Sequence, residues 1–399
     1  MYINRLFIVL FSLNLLNYID RQVLYAVFPL IKNDLSLSDF QLGSFASAFI
    51  ITYLLCAPVI GFFADRSSRT KWVGITACLW SMATMSCAFA RHYITLLVSR
   101  CCVGIGEAGF TTIAQPLLAE QYPKEKHSSV LALFGLAFPL GSALGYVLGG
   151  LVGQHFGWRI AFIVASIPGV FFGLFTLTKL QDLRRLSTNV AQLPRLSSYL
   201  TILKNKSFLW VCLSQAMITF LIGGLSAWVP TYLNRYLQMD LARAGFLMGV
   251  LIIVSGACAT YIGGKWAEKM LKRTPHSYFW VLGISLACVL PPLWLGLWLS
   301  HLPAILTCFA LTIFFLFLPT GAIAAALVAT SPKAIRSMAF ALNIFIIHFL
   351  GDALSPVLVG YISDMQSLKV SFLICSLTAL PGIWFAYRGA KNFKISQAN

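Results

Sequence analysis

The chain has 399 residues, 59% of them hydrophobic and only 10% charged, with a formal net charge of +17. A soluble globular chain carries about 25% charged residues, so this composition excludes an ordinary soluble enzyme. The apolar runs are continuous and about 20–25 residues long, which is helix length for a bilayer rather than the short alternating segments of a barrel.

In chain order, twelve membrane spans are predicted, at 6–30, 40–64, 71–90, 93–118, 127–153, 159–179, 207–234, 241–267, 276–299, 302–327, 334–362 and 370–390. The first apolar run is long, is interrupted by Asp20-Arg21 and lacks a cleavage site, so no cleavable signal peptide is expected. The longest polar interruption, Gln181 to Lys206, is basic and contains Pro194. It reads as a cytoplasmic linker (180–206) between an N-terminal six-helix bundle (1–179) and a C-terminal one (207–399). Leu196 to Lys206 is expected to form a short amphipathic helix on the membrane surface.

The positive charge follows the loops. Of the 29 Lys and Arg, twenty-one fall in the N-terminus, the C-terminal tail and alternate loops. Six fall in the opposite loops (Lys32, Arg91, Arg159, Arg235, Arg243, Lys369), and Arg21 and Arg100 lie within spans. The positive-inside rule then puts both termini in the cytoplasm. Nucleic-acid binding would need a solvated basic face with its own fold, and no room is left for one. The ten cysteines lie mostly inside apolar runs with no zinc or disulfide spacing, and read as small packing residues. No metal or cofactor is expected. A Walker-type phosphate loop is absent from the sequence, which leaves no ATP site of that kind.

A repeat is visible. Gly61-Phe-Phe-Ala-Asp65-Arg66-Ser-Ser-Arg69-Thr-Lys71 follows span two. Gly264-Lys-Trp-Ala-Glu268-Lys269-Met-Leu-Lys272-Arg273 follows span eight, about half the chain later. Both read Gly-x-x-x-acid-base with further bases, which implies two parallel six-helix repeats. This loop resembles the signature of the major facilitator superfamily. So do Arg100-Cys-Cys-Val-Gly104-Ile-Gly106-Glu107 in span four, the stretch Gly135 to Gly150 with Pro139, Gly141 and Gly145 in span five, and Gly157-Trp158-Arg159 at span six. One departure is Ser68, where the loop motif commonly has Gly. Within the superfamily, Asn17-Tyr-Ile-Asp-Arg21, Gly104-Ile-Gly-Glu-Ala108, His348-Phe-Leu-Gly-Asp352-Ala-Leu-Ser-Pro356 and Gly360-Tyr-Ile-Ser-Asp364 resemble the Spinster-type transporters. That branch includes sphingosine-phosphate and lysophospholipid exporters and bacterial relatives.

The resemblance implies an all-α integral membrane fold of twelve transmembrane helices in two pseudo-symmetric bundles. It also implies a secondary active transporter working by alternating access, with no catalytic residues. The expected setting is a bacterial cytoplasmic membrane, and the expected form is a monomer that meets substrate, protons and membrane lipids. In this superfamily the loop is a cytoplasmic latch, so Asp65, Arg66 and Arg69 are expected to gate, with Gly61 permitting close helix approach and Gly264, Glu268 and Lys269 as the repeat counterparts. Purely topogenic charge is the alternative, and it leaves Asp65 unexplained.

The chemistry centres on charges at bilayer depth, which are costly and usually functional. Asp20 and Arg21 sit roughly 15 Å from the outer end of span one; Glu107 is about 21 Å and Arg100 about 10 Å from the same face on span four. The four bracket one depth near the midplane, where transporter sites lie. They are expected to bind a polar headgroup and exchange protons, with Asp20 and Glu107 competing with an anionic substrate for Arg21. The alternative is a set of ion pairs locking span one to span four. Asn14, Tyr18, Arg21 and Tyr25 recur at helical spacing and, with Asn17, are candidates for a cavity wall or for polar packing. Spans seven and ten, the counterparts of one and four, contain no charge and offer Gln215, Thr219, Trp228 and Phe315 instead. A cavity charged on one side and aromatic on the other suits an amphipathic or anionic organic substrate. His348 and Asp352, four apart, are a proton relay or, with Pro356, a helix-packing and kink element. Multidrug or organic-solute efflux and sugar-type uptake stand as alternatives. A membrane lipid enzyme lacks a convergent catalytic set, and a non-transporting receptor would not need intact cavity charges.

Overall fold

The computed structural model describes residues 5–123, 126–180, 196–271, 274, 276–331 and 336–393. Its regular elements are all helical. In chain order they are α1 (Arg5–Ala26), α2 (Phe28–Leu35), α3 (Asp39–Asp65), α4 (Arg69–Cys87), α5 (Tyr93–Glu120), α6 (His127–Gly135), α7 (Ala137–Phe156), α8 (Trp158–Lys179), α9 (Leu196–Leu203), α10 (Lys206–Leu237), α11 (Leu241–Leu271), α12 (Ser277–Trp298), α13 (Leu302–Phe317), α14 (Thr320–Thr330), α15 (Arg336–Ile347), α16 (Ser355–Met365), α17 (Leu368–Ser376) and α18 (Ala379–Asn392). A single π turn, His348–Asp352, joins α15 to α16.

Ten helical stretches of the described chain are long and apolar enough to cross a membrane. The two remaining predicted spans are α1 and α4, with 22 and 19 residues. Both are diluted by polar groups that a lipid-facing helix would not carry: Asn14, Asn17, Asp20 and Arg21 in α1, and Arg69, Lys71 and several Thr and Ser in α4. Asn14, Asn17 and Asp20 of α1 and Thr76, Ser81 and Thr84 of α4 are bearable because they are buried inside the protein, whereas Arg69 and Lys71 sit in the first turn of α4, where Lys71 is exposed.

Five predicted spans are each broken within: at Val27, Leu136, Leu318, the π turn and Leu377–Thr378. At each break a proline stands at the start of the following helix (Pro29, Pro139, Pro319, Pro356 and Pro381). Proline lacks the N–H that would continue the helix, and its ring crowds the preceding turn. Pro58, Pro116, Pro168, Pro230 and Pro291-Pro292 by contrast lie inside unbroken helices.

The chain forms two compact units: Met1–Ala191 with Ser226–Val250, and Gln192–Leu225 with Leu251–Asn399. In unit 1, α1 packs on α7, while α3 and α4 flank α5, and α4 also packs on α8. Glycines set those distances. A Cβ at Gly104 would strike the Phe49 carbonyl and Thr52 of α3, and one at Gly106 would strike the Trp80 backbone of α4. The Gly104-Ile-Gly106-Glu107 stretch therefore brings α3 and α4 against α5 on two faces and leaves Glu107 on a third. In unit 2, α12 packs on α13 and α18, and α16 on α17. Ser214 Oγ donates to the Gly382 carbonyl at 3.0 Å, and Trp294 Nε1 donates to Ser376 Oγ at 2.8 Å.

The amphipathic segment is helical from Leu196 to Leu203, shorter than expected. Asn205 ends it, because its Oδ1 accepts from the backbone N–H of Ser207 (3.1 Å) and Phe208 (3.3 Å) and so caps α10. Gln181–Arg195 of the predicted linker, with Pro194, and the loop bases Lys272 and Arg273 lie outside the described residues.

Candidate functional site

The four intramembrane charges meet inside unit 1 as two crossed pairs. Arg21 Nε donates to Glu107 Oε2 at 2.7 Å, and Arg100 Nη1 donates to Asp20 Oδ1 at 3.3 Å. Adjacent residues on α1 thus take partners two turns apart on α5. Asp20, Arg100 and Glu107 are buried, while the Arg21 side chain keeps 18% of its surface exposed. Charges removed from water need both an opposite charge and hydrogen bonds on their remaining atoms, and the four differ in how far that need is met.

Asp20 is fully served. Its second oxygen, Oδ2, accepts from the buried Thr84 hydroxyl of α4 at 2.5 Å. Thr84 is not among the residues singled out from sequence, since one Thr in a Thr- and Ser-containing helix carries no signal by itself. Glu107 is half served: Oε1 is buried with no hydrogen-bond partner among the described residues. Arg21 bonds only through Nε, so both of its Nη atoms are without a hydrogen bond there. Its guanidinium stands among three rings, 4.8 Å from the Phe49 centroid, 5.4 Å from Tyr18 and 5.5 Å from Tyr53. Such rings favour a cation on their faces. Phe49 and Tyr53 come from α3, and the Tyr53 hydroxyl is 2.8 Å from Thr111 Oγ1 on α5.

The other α1 candidates divide. Asn14 Nδ2 donates to the Phe134 carbonyl at the end of α6 at 3.2 Å, and Tyr18 packs edge-on against Phe138. Tyr25 packs edge-on against Phe28. Asn17 is wholly buried, and neither atom of its amide has a partner among the described residues. The uncharged candidates fall in different places. Trp228 is fully buried in unit 1 against the Phe28 ring at 5.3 Å. Gln215, whose Oε1 has no hydrogen-bond partner among the described residues, and Thr219, beside Gly351, lie in unit 2. Phe315 is also in unit 2, half-buried against Phe314.

In the first repeat loop Arg69 is the hub. Its Nη2 bonds Asp65 Oδ1 at 2.5 Å, and its Nη1 bonds Glu120 Oε1 at the end of α5 at 2.5 Å. Burial alone would lower the Arg69 pKa, but Asp65 and Glu120 outweigh it and hold the group above its ordinary value. Arg66 instead lies over the Phe62 ring. Gly61 does not provide the expected close approach, because a Cβ there would meet open space. The loop end of α3 faces away from its neighbours at that position, and the close contact is made at Gly104. Ser68 needs no glycine: its φ of −71° is ordinary, and its hydroxyl accepts from Lys71 N–H to cap α4. In the second loop Gly264 is likewise open to an added Cβ, whereas Gly263 abuts the Leu318 backbone. Glu268 and Lys269 are exposed in the last turns of α11, with no ion pair among the described residues.

His348 Nδ1 lies 2.8 Å and 3.0 Å from the two Asp352 oxygens, across the π turn. The Ala353 N–H reaches the His348 carbonyl at 3.0 Å, five residues back. Gly223 and Gly351 bring α10 onto this turn, at Asp352 and at Thr219 respectively.

A third buried acid, after Asp20 and Glu107, was missed from sequence. Asp39 opens α3, where Ser38 and Gln41 form a reciprocal capping box and the helix N-terminus favours a negative charge. Lys32 pairs with it at 2.5 Å. Arg235, at the end of α10, grips both of its oxygens at 2.8 and 2.9 Å. Lys32 and Asp39 share one predicted loop, but Arg235 lies in another, 196 residues beyond Asp39, so only the fold reveals that all three meet.

Comparison with known proteins gives a consistent picture. The family described as Major Facilitator Superfamily matches residues 10–290. Protein spinster homolog 3 of Danio rerio is 29% identical over 413 residues, which cover 94% of this chain and 83% of that one. Sphingosine-1-phosphate transporter SPNS2 of Xenopus tropicalis is 29% identical over 373 residues, covering 88% and 72%. A crystal structure of a bacterial homolog to the human lysosomal transporter Spinster, inward-facing and occupied, superposes with a TM-score of 0.87 at 20% identity over 98% of each chain.

Proposed function

This chain belongs to the major facilitator superfamily of membrane transporters, and from that premise we propose that it is a proton-coupled secondary transporter of an amphipathic organic anion, with a phosphate or carboxylate headgroup on an apolar tail. The observation that carries this reading is Arg21. Its Nε holds Glu107 while its two Nη atoms make no hydrogen bond among the described residues. A guanidinium edge of that kind matches the two oxygens of a phosphate or carboxylate. A sugar has no such anion to offer it. The resemblance to a transporter named for sphingosine-1-phosphate supports a lysolipid-like anion as the first candidate.

The coupling follows from competition. Glu107 carries a buried oxygen, Oε1, with no hydrogen-bond partner among the described residues, which is where a proton costs least to place. A neutral Glu107 no longer holds Arg21 by charge, so Arg21 can give its full charge to an incoming anion. Loss of the proton restores the Glu107 anion, which reclaims Arg21 and expels the anion. Asp20 and Arg100 form the fixed partner pair beside this exchange. Two six-helix halves, 1–179 and 207–399, joined by 180–206, then rock in alternating access, with the Asp65–Arg69–Glu120 bridge latching one face. Both termini are cytoplasmic in a bacterial inner membrane, and the working unit is a monomer.

The test is uptake of sphingosine-1-phosphate and of a lysophosphatidate into proteoliposomes, with and without an imposed pH gradient. Wild-type protein accelerates uptake under the gradient, Arg21→Ala abolishes it, and Glu107→Gln transports at a rate indifferent to the gradient. Gradient dependence that survives in both Glu107→Gln and Asp20→Asn would sink the coupling.

A further inference from the structure

The last helix carries a stripe that the transport site does not use. Leu380, Trp384, Tyr387, Arg388 and Lys391 recur at helical spacing along α18, and all five are exposed. The stripe runs roughly 16 Å along the helix, apolar at one end, aromatic in the middle and basic where the span stops. Trp384 keeps 48% of its surface exposed, yet its inner side is held. Trp210 of α10 meets it edge-on with ring centroids 5.5 Å apart, and Phe385 lies 5.4 Å from it and stacks on Trp210 at 5.8 Å. The Arg388 guanidinium stands over the Trp384 ring, 5.2 Å from its centroid, where an indole face favours a cation. The backbone beneath is tied down as well. Ser207 Oγ donates to the Asn392 carbonyl at 3.2 Å, and Asn392 Nδ2 donates to the Arg388 carbonyl at 2.8 Å. Lys206, next to Ser207 at the start of α10, is exposed too. Among the described residues, none of Arg388, Lys391 and Lys206 has an ion pair. The described acids of unit 2 lie elsewhere: Glu268 in α11, Asp352 bonded to His348, and Asp364 near the end of α16.

The geometry points to this α10–α18 seam as a binding site for the headgroup of an anionic phospholipid such as phosphatidylglycerol, with its acyl chains along Trp384 and Leu380. The site uses none of the four charges of unit 1 and stands apart from the transport reading. Bases at a membrane surface attract anionic lipid, and Trp and Tyr settle at headgroup level. A lone base does this diffusely. Here the ring under Arg388 engages the guanidinium through its carbon centre and leaves its N–H donors for phosphate oxygens, which a planar fork matches well. A zwitterionic lipid would bring an ammonium group to three bases that have no acid beside them, and a net anionic lipid would not. In the orientation proposed above, this edge meets the cytoplasmic leaflet. The last helix of the first repeat, α8, also ends in an exposed base, Lys179. Among the described residues no ring lies under Lys179, so it is the natural reference for a base without such a platform.

Native mass spectrometry of the full-length protein in nonionic detergent, offered phosphatidylglycerol and phosphatidylcholine with matched chains, counts bound lipid directly. Wild type should take up phosphatidylglycerol ahead of phosphatidylcholine. Arg388→Gln should weaken that binding about fivefold, and Arg388→Gln combined with Lys391→Gln about 25-fold, since each base near the surface contributes a factor of about five. Trp384→Leu, which keeps apolar bulk and removes the ring, should weaken it about two- to fivefold. Lys179→Gln should leave it unchanged. These side chains are exposed, so the variants should melt with wild type, and Arg388→Gln alone carries the test if the double variant does not fold. Equal binding of the two lipids by wild type, or a loss in Arg388→Gln that Lys179→Gln matches, overturns the assignment. So does displacement of bound phosphatidylglycerol by millimolar inorganic phosphate or glycerol phosphate, which would mark a site for a free anion. The transport reading fails on separate evidence, in the uptake assays of Arg21→Ala and Glu107→Gln, and neither of those variants should change lipid binding at the seam.

Discussion

At Arg21 the charge and the shape of the side chain do separate jobs. The charge holds Glu107 through Nε, and the flat guanidinium fits among Tyr18, Phe49 and Tyr53. Arg21→Lys keeps the first and loses the second, since an ammonium is a compact point charge with no fork. Loss of the ring contacts and of paired donors is worth about 1–2 kcal/mol, or about five- to thirtyfold in affinity. The expected outcome is a KM for the anion raised by about that factor in proteoliposome uptake, with the gradient dependence retained because Glu107 is intact. The four charges and their meeting at one depth were legible in sequence, because an ionisable residue in an apolar run stands out. Thr84 and Asp39 were not. Thr84 is one hydroxyl among many, and Asp39 sits in what reads as an ordinary loop until Lys32 and Arg235 fold onto it.

At the scale of the helix, position is set by the absence of side chains as much as by their presence. Gly145 of α7 faces α1 so closely that an added Cβ would stand 2.6 Å from the Ile19 carbonyl oxygen and 2.8 Å from the Gln22 Cβ. Backbone cannot yield as a flexible side chain does, and Ile19 immediately precedes Asp20. Gly145→Val should therefore push α1 off α7, destabilise the protein by about 1–3 kcal/mol, and cut transport more than its loss of melting temperature alone explains. Thermal unfolding and uptake on the same preparation give both numbers, and a variant that melts and transports like wild type would contradict the close contact. The spans themselves were legible from length and apolarity, but their breaks were not. Pro29, Pro139, Pro319, Pro356 and Pro381 stand at breaks, and Pro58, Pro116, Pro168 and Pro230 stand in unbroken helices. Both sets look alike locally, because neighbouring helices, not the proline alone, decide whether the freed backbone groups are satisfied in place.

At the scale of the molecule, residues 226–250 are joined to unit 1 by several independent contacts. The Tyr146 hydroxyl donates to the Ser226 carbonyl at 2.7 Å, Trp228 packs on Phe28, and Arg235 grips Asp39. Asp39 and Asp65 are the two ends of α3, so the Asp39 cluster and the Arg69 bridge mark opposite faces of the membrane. In the alternating-access cycle proposed above, one is released while the other holds. Asp39→Asn removes the charge that Lys32 and Arg235 share, and should raise the reaction of a cysteine placed at the buried Ala227 with a water-soluble maleimide several-fold. Arg235→Gln should match it. Asp34→Asn, which removes the charge of an exposed acid shared by Arg159 and Trp158, should not, because exposed pairs contribute little. Equal labelling of all three would remove the Asp39 cluster from the cycle.

The π turn at His348–Asp352 carries one residue more than the α-helical ladder on either side of it. Each residue of an α-helix adds about 100° of rotation and 1.5 Å of rise. A surplus residue is therefore a stored phase offset: shifted along the span by one position, it would re-aim every side chain it passes by a quarter-turn or so without breaking the helix. His348 and Asp352 are bonded across that turn, so the pair spans the offset from one end to the other.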